Sequence, residues 1–159
     1  METFLTSCEY IESFPNRLFT NMPVIRVLDL SNNFELKVLP VEIGNLVTLQ
    51  YLNLSATDIE YLPVEFKNLK RLRCLILNDM YSLESLPSQM VSSLSSLQLF
   101  SMYSTKEEES AFTEDDERRL LEELKQLEHI DDISINLASE SSIQSLFNSH
   151  KLQRSTRGL

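Results

Sequence analysis

Proline recurs at Pro15, Pro40, Pro63 and Pro87, and each sits in the same setting of leucines. From Leu39-Pro40 the chain runs through Ile43, Leu46, Leu49, Leu52 and Leu54 to Leu62-Pro63. It then repeats as Phe66, Leu69, Leu72, Leu75 and Leu77, ending on Leu86-Pro87. The proline intervals are 25, 23 and 24 residues. A unit of that size cannot bury so apolar a stripe on itself, so successive units must stack and bury it jointly. A stack of near-identical coils is the architecture this recurrence permits.

Each unit holds one short strand centred on a Leu-x-Leu pair, and alternate side chains of a strand face opposite ways. The leucines of Leu28-Asp29-Leu30, Leu52-Asn53-Leu54 and Leu75-Ile76-Leu77 therefore point inward, as do Phe100 and Met102. Period and pattern together predict an α/β fold, a leucine-rich repeat solenoid or horseshoe with a parallel sheet on its concave side and one inserted helix. Strands are expected over 27–30, 51–54, 74–77, 99–102 and 132–135. Cys8, Asn33, Thr57 and Met80 align in the turn slot after the strand, where a polar side chain satisfies backbone groups; Met80 is the misfit. The prolines fall on the return side, where no ladder donor is needed, and the return segments are short enough to predict 3₁₀-like coil.

The outward strand positions form three rows. The first is Val27, Tyr51, Cys74 and Leu99; the second is Asp29, Asn53, Ile76 and Ser101; the third is Ser31, Ser55, Asn78 and Tyr103. Apolar and aromatic residues dominate the first row and return at Ile76 and Tyr103. A protein partner covering the concave face explains them, because buried aromatics dominate interface energetics. Strand propensity alone also selects Val, Tyr and Ile.

The repeat stops between Thr105 and Glu117. Residues 106–117 hold one lysine and seven acids, net −6 of the chain's −10. Thr113-Glu114-Asp115-Asp116 reads as a helix start, with an N-cap threonine and acids in the first turn. Leu120, Leu121, Leu124 and Leu127 follow at helical spacing, which predicts a helix over 114–128 on the convex side. The acidic run before it reads either as a solvated mobile loop or as a docking loop for a basic partner. The organisation expected is leucine-rich repeats over 1–104, an acidic loop and inserted helix over 105–128, and degenerate, truncated repeats over 129–159.

Register places Leu5 on the second leucine of a strand motif with Cys8 in the turn slot, while Leu152, Thr156 and Leu159 approach a further strand. No polar cap is visible at either end, so the chain is expected to be a piece of a larger protein. The net charge of −10 argues against nucleic acid as a partner, and no apolar run is long enough for membrane insertion. Two cysteines in different slots, without paired caps, favour an intracellular, cytoplasmic chain.

No catalytic constellation assembles. His129 and His150 are the only histidines, and His129 falls at the end of the expected helix. Two glycines, Gly44 and Gly158, leave no phosphate-binding loop. Zinc-ligand and calcium-loop spacings are missing. The expectation is a non-enzyme without metal or cofactor.

The run 21–31, Asn-Met-Pro-Val-Ile-Arg-Val-Leu-Asp-Leu-Ser, resembles the opening repeat of plant intracellular immune receptors of the coiled-coil nucleotide-binding leucine-rich repeat class. Residues 52–63, from Leu52-Asn53-Leu54-Ser55 to Tyr61-Leu62-Pro63, resemble that family's most characteristic repeat, and 120–135 resemble it as well. The resemblance implies a role in pathogen-effector recognition and in autoinhibition. It implies protein partners: the receptor's own nucleotide-binding module, a pathogen effector or a guarded host protein. The chain lacks the nucleotide-binding module, its phosphate loop and a signalling coiled coil, so sensing or restraint is what remains. A stand-alone intracellular signalling scaffold is the alternative; an extracellular ectodomain fits less well, since its repeats usually carry a Gly-x-Ile-Pro return.

Overall fold

The computed structural model describes residues 3–5, 19, 24–105 and 113–158. Among these, seven strands form one parallel sheet in chain order. They are β1 (Thr3–Leu5), β2 (Val27–Asp29), β3 (Tyr51–Asn53), β4 (Cys74–Ile76), β5 (Leu99–Met102), β6 (Asp132–Ile135) and β7 (Thr156–Gly158). Parallel neighbours require a long connection between them, and the rest of each coil supplies it. The register sets Leu28, Leu52, Leu75, Phe100 and Ile133 side by side, and all are buried. This is the leucine-rich repeat solenoid expected.

β2, β3 and β4 stop one residue before the expected ends, yet the ladder continues past them. The Leu30, Leu54 and Leu77 amides donate to the carbonyls of Asn53 (2.9 Å), Ile76 (2.9 Å) and Ser101 (2.8 Å). One expectation needs correction. β1 pairs Leu5 with Asp29, one position before Leu30, so its register differs by one residue from that read in the sequence. Cys8 lies outside the described residues. Met102 packs inward against the core as expected, half-buried at its margin.

The turn slot works as anticipated where its residue is polar. Asn33 Nδ2 donates to the carbonyls of Leu30 (2.6 Å) and Ser31 (3.3 Å), and Thr57 Oγ1 to that of Leu54 (2.9 Å). Met80 occupies the slot as a buried apolar plug. One residue earlier the backbone enters the left-handed region at each coil, with φ of 61° at Asn32, 55° at Ala56 and 55° at Asp79. That conformation costs a non-glycine residue about 1–2 kcal/mol. The return sides are 3₁₀ turns at Val41–Asn45 and Val64–Asn68, each entered through a proline.

These two turns touch at Gly44. A Cβ built there would lie 2.5 Å from Glu65 Cβ and 2.7 Å from the Glu65 carbonyl oxygen. The obstruction includes backbone, which cannot swing aside as a side chain does. Gly44→Ala is therefore expected to destabilise the chain by about 1–3 kcal/mol. Urea unfolding would show a lower midpoint with an unchanged slope; an unchanged midpoint would mean that the coils separate freely at this point.

The helices follow the same return side. They are α1 (Met90–Ser93), α2 (Glu114–Gln126), α3 (Glu140–Phe147) and α4 (His150–Ser155). α2 opens with a capping box: the Asp116 amide donates to Thr113 Oγ1 (3.2 Å) and the Thr113 amide to Asp116 Oδ2 (3.0 Å). Burial opposes ionisation of Asp116, but bonds from the Thr113 hydroxyl and amide and from Arg119 outweigh it and hold the carboxyl below its ordinary range. Leu120, Leu121 and Leu124 enter the core, followed by Leu127 at the C-cap. The helix ends at Gln126, two residues before the expected end, because the Leu127 backbone turns extended. His129 thus lies beyond the helix, exposed in a bend.

Two carboxylates of α2 reach in opposite directions along the stack. Glu123 accepts from the amides of Gln89 (2.7 Å) and Ser92 (3.1 Å) at the start of α1. Glu117, buried, accepts from the amides of Ala138 (2.7 Å) and Ser139 (3.2 Å) and from the Ser139 hydroxyl (2.8 Å) before α3. Lys151 of α4 closes the other end, donating to the carbonyls of Lys125 (3.1 Å) and Leu127. The acidic stretch 106–112 lies outside the described residues; Thr105 just before it is held by Asp79 Oδ1 through amide and hydroxyl, both at 2.8 Å.

Removing the Glu117 carboxylate would strand two backbone donors. Glu117→Ala should cost about 1–3 kcal/mol or more in urea unfolding, with faster hydrogen exchange at the Ala138 amide. Glu117→Gln keeps one acceptor oxygen and should fall between. Equal stability of all three proteins would show that water replaces the carboxylate without loss.

Candidate protein-interaction surface

Adjacent strands lie about 4.8 Å apart, so side chains at equivalent outward positions are immediate neighbours. The first row reads Val27, Tyr51, Cys74 and Leu99, and the register extends it to Asp132 on β6. The second reads Asp29, Asn53, Ile76 and Ser101, extended by Ser134. The third continues beyond the strands, where the amides of Asn32, Ala56 and Asp79 donate to the carbonyls of Ser55, Asn78 and Tyr103, each at 2.9 Å. The three rows therefore share one face.

They are not equally available. Val27, Asp29, Tyr51, Asn53, Cys74, Ile76 and Leu99 are half-buried, which is what crowding at strand spacing imposes. Tyr103 is 40% exposed, whereas Ser101 is only 8% exposed. The Ser101 hydroxyl, on an expected outward position, donates to Asn78 Oδ1 at 2.8 Å and so serves the coil.

Much of the polar half of the face is committed to itself. Asp29 Oδ1 accepts from the Ser31 amide (3.0 Å) and Asp29 Oδ2 from Asn53 Nδ2 (3.4 Å). Asn53 Oδ1 accepts in turn from the Ser55 amide (3.0 Å) and hydroxyl (2.7 Å). Asn78 Oδ1 takes the Tyr103 amide at 3.2 Å, and Asp79 Oδ1 the Tyr81 hydroxyl at 2.7 Å. What the face offers outward is chiefly its aromatic and aliphatic side chains. Asp132 and the exposed Tyr81 were missed in the sequence. Asp132 was legible in principle as the outward neighbour of Ile133, but the long step from β5 hid its row.

The electrostatics keep the first row largely neutral. Burial, followed by the nearby Asp132 carboxylate, pushes the Cys74 thiol up to about 11. Burial also raises the Tyr51 phenol, reinforced by Asp29 and Cys74 and opposed by the hydrogen bond from Asn53. Among the described residues, no three His, Cys, Asp or Glu side chains are grouped to hold a metal ion. No helix among them is long and apolar enough to cross a membrane.

A thiol raised from 9.0 to about 11 stays protonated in the folded chain, so the stability linked to it is present below pH 9.0 and falls as pH rises toward 11. Reactivity follows the thiolate. In a Cys8→Ser background at pH 8, alkylation of Cys74 should run about tenfold slower or more when folded than in urea, after allowing for the greater nucleophilicity of a more basic thiolate. Equal rates would show that burial leaves Cys74 unshielded.

Comparison with known proteins agrees with this geometry. Residues 4–156 match the leucine-rich repeat region family. A probable disease resistance protein of Arabidopsis thaliana is 38% identical over 141 residues, covering 89% of this chain and 16% of the relative. The Arabidopsis disease resistance protein UNI is 32% identical over 140 residues, 88% of this chain and 15% of its own. The chain thus spans about a sixth of the length of these relatives. Among solved structures, a leucine-rich repeat protein of Leptospira interrogans superposes with a TM-score of 0.54 at 22% identity, covering 79% of this chain and 34% of that one. The C-terminal domain of tropomodulin from Caenorhabditis elegans gives 0.53 at 16% identity, over 88% and 89% of the two chains. The protein belongs to the leucine-rich repeat region family, and it resembles that region as it occurs in plant disease resistance proteins.

Proposed function

We propose that this chain is the protein-interaction segment of a plant intracellular immune receptor, acting in the cytoplasm in pathogen-effector recognition and in autoinhibition. Its partners on this reading are the receptor's nucleotide-binding module and an effector or guarded host protein. The observation that carries it is the first row of the concave sheet. Val27, Tyr51, Cys74 and Leu99 stand in register on a face whose polar side chains largely bond one another. A neighbouring protein that covers this row gains apolar contact and displaces few hydrogen bonds. The disease resistance relatives support the defence setting.

Tyr51 and Tyr103 are the aromatic anchors, since aromatic side chains dominate binding energetics where an interface excludes water. Tyr51→Ala and Tyr103→Ala should each weaken association with the nucleotide-binding module, or release autoinhibition, by more than about 1 kcal/mol. Thermal unfolding should change little. Calorimetry on the isolated chain and a cell-death assay in the full receptor read the two effects. If both variants associate with the nucleotide-binding module and with candidate effectors as the parent does, the concave face is not the site.

A further inference from the structure

We propose that a second surface, on the flank where each coil leaves the sheet, docks a protein that presents an apolar ridge flanked by lysine and arginine. Val38, Tyr61 and Ser85 are joined on this flank by parallel backbone bridges, eight or nine residues past their strands. Val41 and Val64 follow at the head of the two 3₁₀ turns. The local sequences are Val38-Leu39-Pro40-Val41 and Tyr61-Leu62-Pro63-Val64. Leu39 and Leu62 are buried between the outer residues, while Val38, Val41, Tyr61 and Val64 are each 55–64% exposed.

Single exposed apolar residues are ordinary; four in register on two adjacent coils form a contiguous patch. The next coil shows that the fold does not demand them. Ser85-Leu86-Pro87-Ser88 keeps the bridge and the proline turn, yet places serine at both outer positions. Strand propensity cannot account for the difference, since Ser85 makes the same bridge as Tyr61.

The border of the patch specifies its partner. The Glu84 amide donates to the Glu60 carbonyl (3.1 Å) and the Glu60 amide to the Lys37 carbonyl (3.4 Å), so Lys37, Glu60 and Glu84 run along one side. Glu42 and Glu65 follow Val41 and Val64 directly, in the first turn of each 3₁₀ segment. Glu84, first among the causes, raises the Tyr61 phenol above its ordinary value, so the acidic margin acts on the ring's polar end. Four glutamates against Lys37 make the rim negative. A second copy of the chain would set glutamates against glutamates, whereas a basic-rimmed partner pairs with them.

A short amphipathic helical peptide of leucine and lysine serves as the probe, with its leucine–glutamate counterpart as control, read by fluorescence anisotropy on the whole chain. The lysine peptide should bind and the glutamate peptide should not. Val38→Ser with Val64→Ser, which copies Ser85 and Ser88 and preserves charge, should weaken the lysine peptide about tenfold. Glu60→Gln with Glu65→Gln should weaken it about threefold and flatten its salt dependence. Tyr51→Ala on the concave face should leave it unchanged, which separates this surface from the one proposed above. The proposal is overturned if the serine variant, shown folded by circular dichroism, binds equally well. Equal binding of the glutamate peptide would overturn it too, as would self-association in ultracentrifugation that the serine variant abolishes.

Discussion

The fold depends on the union of two registers between neighbouring coils. Each inter-strand bond, such as Leu54 amide to Ile76 carbonyl at 2.9 Å, fixes where one coil lies against the next. The same bond sets Leu52 beside Leu75, and burial of such a side chain contributes about 1.5–3 kcal/mol. Neither element closes within one coil: a strand of three residues has no partner in its own repeat, and its leucines have no core. Shifting one coil by a residue would turn its leucines to water and its outward row into the core. The concave rows are therefore aligned by the requirement that buries the leucines behind them.

α2 shows how the stack absorbs a longer coil. Glu123 binds the coil before it and Glu117 the coil after, while Leu120, Leu121 and Leu124 fill the layer between. β5 and β6 meanwhile stay paired from Leu99–Asp132 to Met102–Ile135, so α2 is accommodated without breaking the sheet. A carboxylate that accepts two amides satisfies donors that a helix or turn start leaves open. Charge placed in this way links three successive layers through side chains, in addition to the leucine core.

Most of the fold was legible because its signal repeats. The Leu-x-Leu pairs, the turn asparagine and threonine, and the proline before each return segment recur at fixed offsets, so each coil corroborates the others. The register of β1 was not legible because a single residue is all that separates Leu5 opposite Asp29 from Leu5 opposite Leu30. The roles of Glu117 and Glu123 were hidden, since nothing in an acidic helix marks which carboxylate turns inward to a neighbouring amide. The concave rows could be read from alternation alone. Their accessibility could not: Ser101 is withdrawn by its bond to Asn78, a contact 23 residues away in sequence. The flank patch escaped because Val38 and Tyr61 look like ordinary strand formers until the bridge that joins them to Ser85 is seen.

The left-handed corner at Asn32, Ala56 and Asp79 has a consequence for how such a chain can change. Ala56 has neither glycine's freedom nor a side chain able to bond its own backbone, yet it adopts φ of 55° where its counterparts do. Its amide is bound to the Asn78 carbonyl of the following coil at 2.9 Å. The bend at Ala56 is thus imposed by an adjoining coil more than by the residue itself. A single repeat moved into a foreign array would leave behind the template for its own corner. Recombination between related genes should conserve shape best when the exchanged block carries its downstream neighbour, which makes the pair of coils, and not the lone repeat, the unit that can be shuffled.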